Sequence, residues 1–316
     1  MLGRVIKAAG MAGLAGLAVL TAGCGPGGAG SLGPAPSGSA PAGADASAPL
    51  LPASQASASR ASGPETGTGP GTGAALNVQV WLMRSGRLFP AARTIAVTRA
   101  VGRAAVESLL TGPDAAERAA GVTSAIPAGT RLLGLDISGG TATADLSAAI
   151  GQAGGSVPAR LAQLTYTLTQ FPTVRSVRLQ VGGTAVTVLG GVPVQAAQTR
   201  AMWAALLPPI TVNAPFVGQR VRSPVSVAGT ADVFEAAVSL RIIGADGTVI
   251  ARGFTTASCG TGCRGAYAAT VPFTVSRAQP GIIEVYQVSA RDGSATAIQD
   301  IPVTLLPLPG TPSPGD

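Results

Sequence analysis

Hydrophobic and polar residues alternate through Asn77-Val78-Gln79-Val80-Trp81-Leu82-Met83, the period of a strand with one face in a core. Order begins near Leu76 on this reading, and Thr94-Ile95-Ala96-Val97 predicts a second strand. From Ala100 to Leu110 the period changes: Val101, Ala105, Val106, Leu109 and Leu110 recur at helical spacing until Gly112-Pro113 stops the helix. Arg131 to Ile137 and Thr141 to Leu146 flank Gly139-Gly140, a hairpin signal. A second helix is predicted over Ala159 to Phe171, with Leu161, Leu164, Leu168 and Phe171 on one face and Pro172 closing it. Val174 to Val181 and Ala185 to Leu189 flank Gly182-Gly183 as a further hairpin. Strand, strand, helix, hairpin, helix, hairpin makes an α+β domain over 76–192.

A linker is expected over 193–208, after which no helical period returns. Strand candidates follow at 210–213, 224–229, 236–243, 248–254, 266–274, 281–290 and 298–305, with tight turns at Asp246-Gly247 and Asp292-Gly293. About seven strands in roughly 100 residues predict an all-β immunoglobulin-like sandwich over 209–306. A loose Pro/Gly tail is expected over 307–316. Before the first domain, residues 24–75 are almost entirely Gly, Pro, Ala, Ser and Thr. That composition buries too little apolar surface to offset ordering, so the stretch reads as a disordered tether. Its Gly25-x-Gly27-x-x-Gly30 mimics a dinucleotide fingerprint by composition alone, with no strand before it and no helix after.

The first 23 residues read as an export signal. Arg4 and Lys7 precede an apolar run from Ala8 to Leu20, and then Thr21-Ala22-Gly23 lead into Cys24. This arrangement resembles the lipobox of bacterial lipoproteins. The resemblance implies cleavage before Cys24, acylation of that residue, and a membrane anchor on the extracytoplasmic face. The apolar run is shorter than the roughly 20 residues that span a bilayer, so the alternative is plain secretion with Cys24 unmodified.

Charge narrows the partners. The net charge of +7 includes the two signal cations, leaving 19 basic against 14 acidic residues. Ten arginines face five acids over 76–192, while seven face six over 209–306. The arginines are scattered and aromatics make up 3%, which argues against nucleic acid and leaves envelope proteins or an anionic wall polymer as partners. With Cys24 lipidated, Cys259 and Cys263 remain as an even pair, read as a short disulfide in an oxidising compartment.

Residues 76–192 resemble the GerMN domain of sporulation and spore-germination proteins. Four blocks in order carry the likeness: Leu109-Leu110-x-Gly112-Pro113, Ala125-Ile126-Pro127-x-Gly129-Thr130, Thr143-Ala144-Asp145-Leu146-Ser147, and Thr167-Leu168-Thr169-Gln170-Phe171-Pro172-x-Val174-x-x-Val177. Residues 209–306 are similar to the immunoglobulin-like domain that accompanies GerMN in envelope proteins, through Ile210-x-Val212-x-x-Pro215 and Ser223-Pro224-Val225-x-Val227-x-Gly229. The resemblance implies envelope or spore-coat assembly and lends no catalytic role; the composition looks actinobacterial, so germination itself does not follow.

The chain has no histidine, which removes the commonest general base and metal ligand and excludes histidine-dependent triads. No metal or cofactor is expected. The remaining catalytic pair is Asp136 with Asp145, on opposite arms of one hairpin, for glycoside hydrolysis; against it stands the reading that they cap strand ends or pair with Arg131. Trp81, Phe89 and Tyr166 read as a sugar-stacking surface or, more simply, as core. Arg84, Arg87 and Arg93 cluster about the first hairpin as a contact for an anionic polymer, or as an ordinary exposed turn. The stapled loop Ser258, Gly260, Thr261, Gly262, Arg264 is the expected partner contact, a rigid loop on a rigid scaffold. The sequence therefore predicts a non-catalytic, lipid-anchored binding or scaffolding protein, with a wall-glycan hydrolase as the alternative.

Overall fold

The computed structural model describes residues 75–308, all of which fall within one compact unit. The export signal, Cys24, the tether up to residue 74 and the tail beyond residue 308 lie outside the described residues.

Strands β1 (Ala75–Arg84) and β2 (Arg87–Ala96) pair antiparallel over their full length around Ser85-Gly86. Both turn residues have positive φ, 50° and 74°, as a two-residue hairpin of matching twist requires. The strand expected at Thr94 is thus the far end of one beginning at Arg87. Pro90 hides its near half from the sequence pattern, and the structure tolerates it because β2 is an edge strand. Helix α1 (Val101–Leu110) buries Ala105, Val106 and Leu109. A short helix, α2 (Ala115–Ala119), follows on a capping box: Asp114 Oδ1 accepts the Glu117 amide at 2.8 Å and Glu117 Oε2 accepts the Asp114 amide at 2.8 Å. Strand β3 (Val122–Thr123) pairs with β1 only at Met83 and Arg84.

The expected Gly139-Gly140 hairpin joins β4 (Leu132–Ser138) to β5 (Thr141–Leu146). Helix α3 (Val157–Leu168) then crosses to β6 (Ser176–Val181), which lies parallel to β5. Strand β7 (Thr184–Ala185) follows Gly182-Gly183 but ends early. The strand expected over Ala185–Leu189 is split there, because Val188–Leu189 (β8) turns at Gly190-Gly191 to pair with Val192–Pro193 (β9). The half therefore holds sheets β2-β1-β3 and β4-β5-β6-β7 and the β8-β9 ribbon.

Helix α3 does more than fill space. Eleven of its twelve residues are buried, so its polar positions do not form the solvated face that an amphipathic helix usually presents. They serve the edge of β1 that β3 does not reach. Trp81 N donates to Thr167 Oγ1 at 3.0 Å, and Gln163 Nε2 donates to Trp81 O at 3.0 Å. Gln79 N donates to Gln170 Oε1 at 2.9 Å, and Gln170 Nε2 returns a bond to Gln79 O at 2.6 Å. Side chains thus replace the missing neighbour strand, since buried backbone groups need partners. Arg160, 1% exposed, donates to the carbonyls of Ala125 (3.1 Å), Ile150 (2.6 Å) and Gly154.

The second half is a two-sheet sandwich. Its strands are β10 (Ile210–Ala214), β11 (Arg220–Val221), β12 (Val225–Ala231), β13 (Ala237–Ile243), β14 (Val249–Thr256), β15 (Gly265–Val271), β16 (Gln279–Val288) and β17 (Ala295–Leu305). They form sheets β10-β12-β15 and β11-β17-β16-β13-β14. Strand β11, two residues long and parallel to β17, is too short for any period to announce it. Val225, Val227 and Val271 from one sheet are buried with Leu240, Ile242, Ile283, Val285 and Ile301 from the other. The architecture is an α+β domain followed by an immunoglobulin-like sandwich.

The expected linker at 193–208 is instead a packed segment. Gln198 exchanges backbone bonds with Val177 at 2.8 and 2.9 Å, and Arg200–Leu206 coils as a short 3₁₀ helix. Trp203 packs against both apolar clusters of the molecule, and the larger cluster runs continuously from Val80 and Leu82 to Ile283 and Ile301. The two halves share one core.

Candidate functional site

The hairpin arginines all make bonds within the fold. Arg84 crosses to the sandwich, donating to Asp300 O at 2.7 Å and Gln299 Oε1 at 2.8 Å while covering the Phe89 ring at 4.3 Å. Burial lowers its pKa, with the charge of Asp300 acting in the other direction. Arg87 donates to Ala205 O. Arg93 makes a two-pronged pair with the buried Glu117 at 2.6 and 2.7 Å and also reaches Gly112 O at 3.0 Å. Of the three arginines expected to contact an anionic polymer, Arg84 and Arg93 are thus engaged within the fold, whereas Arg87 is exposed and makes one carbonyl bond.

Asp136 and Asp145 lie on one face of the β4–β5 hairpin, at diagonal positions by register. Asp136 is exposed and accepts from Ser138 Oγ at 3.1 Å. Asp145 Oδ1 accepts the Gly183 amide at 2.9 Å, tying one glycine turn to the next. Phe89, Trp81 and Tyr166 are core residues, at 4%, 4% and 3% exposure. The Trp81 and Tyr166 rings sit 4.9 Å apart at a 60° tilt, so neither offers an open face for stacking a sugar.

The loop after β14 is closed by the disulfide between Cys259 and Cys263. Gly260 serves close approach, since a Cβ there would lie 2.5 Å from the Ala236 amide nitrogen. Thr261 N donates to Val233 O at 3.0 Å, and Gly262 N donates to Asp232 Oδ1 at 2.8 Å. Ser258 and Thr261 face solvent. Gly262, Cys263 and Arg264 instead line a cleft shared with the first half.

That cleft, about 660 Å³, lies at the seam. Trp81, Tyr166 and Arg200 line one side; Asn213, Asp232 and Arg264 line the other. Arg200 extends from the packed connector, donating to Thr169 Oγ1 at 2.8 Å and Tyr166 O at 3.1 Å. Its guanidinium lies 4.5 Å from the Tyr166 ring centroid and 5.8 Å from that of Trp81. Arg264 donates to Pro208 O at 2.6 Å and to Thr230 O and Oγ1 at 3.3 Å. Burial lowers the pKa of both arginines, yet a guanidinium stays protonated at neutral pH. Burial raises the Tyr166 pKa, while Arg200 and then Arg264 pull it back, so both cations act on one phenol although they come from opposite halves.

Sequence reading missed Arg200 and Asn213. The signal was the apolar content of the supposed linker: Met202, Trp203, Leu206 and Leu207 are too hydrophobic for a solvated connection.

Residues 81–187 match the family described as sporulation and spore germination, and residues 209–294 match the immunoglobulin-like domain of bacterial spore germination. Among solved structures, the chain is similar to the tandem GerMN domains of the sporulation protein GerM from Bacillus subtilis. That likeness has 15% identity and a TM-score of 0.38, covering 74% of this chain and 61% of that one. The chain thus spans about three fifths of the tandem structure's length. The first GerMN domain of the same protein matches at 23% identity and a TM-score of 0.33, covering 40% of this chain and 98% of that one. Among curated proteins, none matches.

Proposed function

We propose, from the matches of residues 81–187 to the sporulation and spore germination family and of residues 209–294 to the immunoglobulin-like domain of bacterial spore germination, a membrane-anchored, extracytoplasmic lipoprotein that binds or scaffolds cell-envelope components without turning them over. The observation that carries the binding role is the seam cleft. Its charged groups are Arg200, Arg264 and Asp232, and the two guanidiniums, protonated at neutral pH, suit holding and orienting a ligand rather than exchanging protons. The anchor rests on the run Thr21-Ala22-Gly23-Cys24 behind an apolar segment.

The test is fractionation with cross-linking in intact cells. The wild type is expected in the membrane pellet, with specific envelope proteins or wall polymer captured; Cys24→Ala is expected in the medium, with that capture lost. Recovery of Cys24→Ala in the membrane at the wild-type level would sink the lipid anchor. Failure of the anchored wild type to capture any envelope material would sink the binding role. Deleting residues 209–306 is not a usable control, because the halves share one core.

A further inference from the structure

We propose that the seam cleft binds a hydroxylated oxyanion, the chemistry common to a sugar acid and a polyol phosphate. The first argument is charge. Arg200 and Arg264 line the cleft together with Tyr166, and their hydrogen-bond partners are neutral oxygens. No carboxylate among the described residues forms an ion pair with either guanidinium; Asp232 acts on Arg264 only at longer range. Two partly desolvated cations against one carboxylate leave a site short of negative charge, and a guanidinium meets a planar or tetrahedral oxyanion with paired donors.

The second argument is the pattern of unmet hydrogen bonds. The indole N–H of Trp81, a residue 4% exposed, has no acceptor, and the buried Oδ1 of Asn213 has no donor. Both residues line the cleft. Buried polar atoms are nearly always paired, so an orphan donor on the Arg200 side of the cleft and an orphan acceptor on the Arg264 side describe a ligand that both accepts and donates hydrogen bonds. An oxyanion supplies the acceptor, and hydroxyl groups supply the donors. The cleft volume of about 660 Å³ is within the roughly 300–1,000 Å³ of small-ligand sites. Covered ring faces on Trp81 and Tyr166 exclude sugar stacking as the mode of recognition.

This assignment deepens the proposed binding role and rests on it for the choice of ligand class. Its test, however, is made in solution and is independent of anchoring. The full-length chain in detergent is titrated calorimetrically with glucuronate and with glycerol 3-phosphate, using glucose and glycerol as neutral parents. Saturable binding of one or both acids, weaker with added salt and absent for the parents, is the expected result. The acid that binds more tightly identifies carboxylate or phosphate as the source. Arg264→Gln is expected to weaken binding about tenfold or more in protein that circular dichroism shows to be folded. Arg291→Gln, in the distant exposed turn after β16, is expected to leave it intact. The proposal is overturned if neither acid binds the folded wild type, if a neutral parent binds equally, if salt has no effect, or if folded Arg264→Gln keeps full affinity.

Discussion

The two halves bury their interiors by different means. The sandwich is filled by aliphatic alternation: Val225 and Val227 against Leu240, Ile242, Ile283 and Val285, all at 4% exposure or less. The α+β half places Arg160, Gln163, Thr165 and Thr167 at 1% exposure or less on one helix, and most of these side chains bond to backbone. Apolar burial is non-directional and tolerates a changed methyl group. A buried hydrogen bond is directional, and losing one partner leaves the other to bear its desolvation cost. The sandwich is therefore forgiving site by site, whereas α3 is a brace in which single atoms matter.

Substitutions test that contrast. Arg160→Met strips three backbone carbonyls of a charged donor and is expected to cost about 3 kcal/mol or more in urea denaturation. Gln163→Leu leaves Trp81 O and Ala125 N unpaired, for an expected cost of about 2 kcal/mol. Ile283→Val, in the fully buried sandwich core, is expected to cost only about 1 kcal/mol. Equal losses for Arg160→Met and Ile283→Val would erase the distinction.

The smallest effect near neutrality is a pH dependence in the sandwich. Burial pushes the Tyr267 hydroxyl well above its ordinary value while it donates to Thr211 O at 2.9 Å. Above the ordinary tyrosine pKa of about 10, the unfolded chain releases a proton that the folded one retains. This contribution to stability is thus fully present below about pH 10 and is lost as pH rises toward the folded value. Tyr166, also raised by burial, acts in the same direction. Denaturation midpoints measured from pH 8 to 11 should fall less steeply in Tyr267→Phe than in the wild type; identical slopes would show that Tyr267 carries no linkage.

The same difference explains what the sequence revealed. Aliphatic alternation and Asp-Gly turns disclosed all the sandwich strands but β11. In the first half the glycine-pair hairpins and both longer helices were legible. The apolar face of α3 was visible through Leu161, Leu164 and Leu168, but the roles of Gln163, Thr167 and, just beyond the helix, Gln170 were not, because nothing local shows that a strand edge will need them. The candidate site was half legible. Arg264 was reached through the stapled loop, whereas Arg200 was hidden in a stretch whose proline and alanine content masked Trp203. The partners of Arg84 and Arg93 were not legible, because sequence proximity says nothing about which carbonyls and carboxylates the fold brings to them.

That the two halves make one cooperative body, with the cleft built between them, is tested most directly by scanning calorimetry of the full-length chain carrying Arg160→Met or Ile283→Val. The shared core and the Arg84 and Arg264 clamps predict a single transition that moves as a whole in both variants, further for Arg160→Met. Two separable transitions, each displaced only by the substitution in its own half, would contradict it.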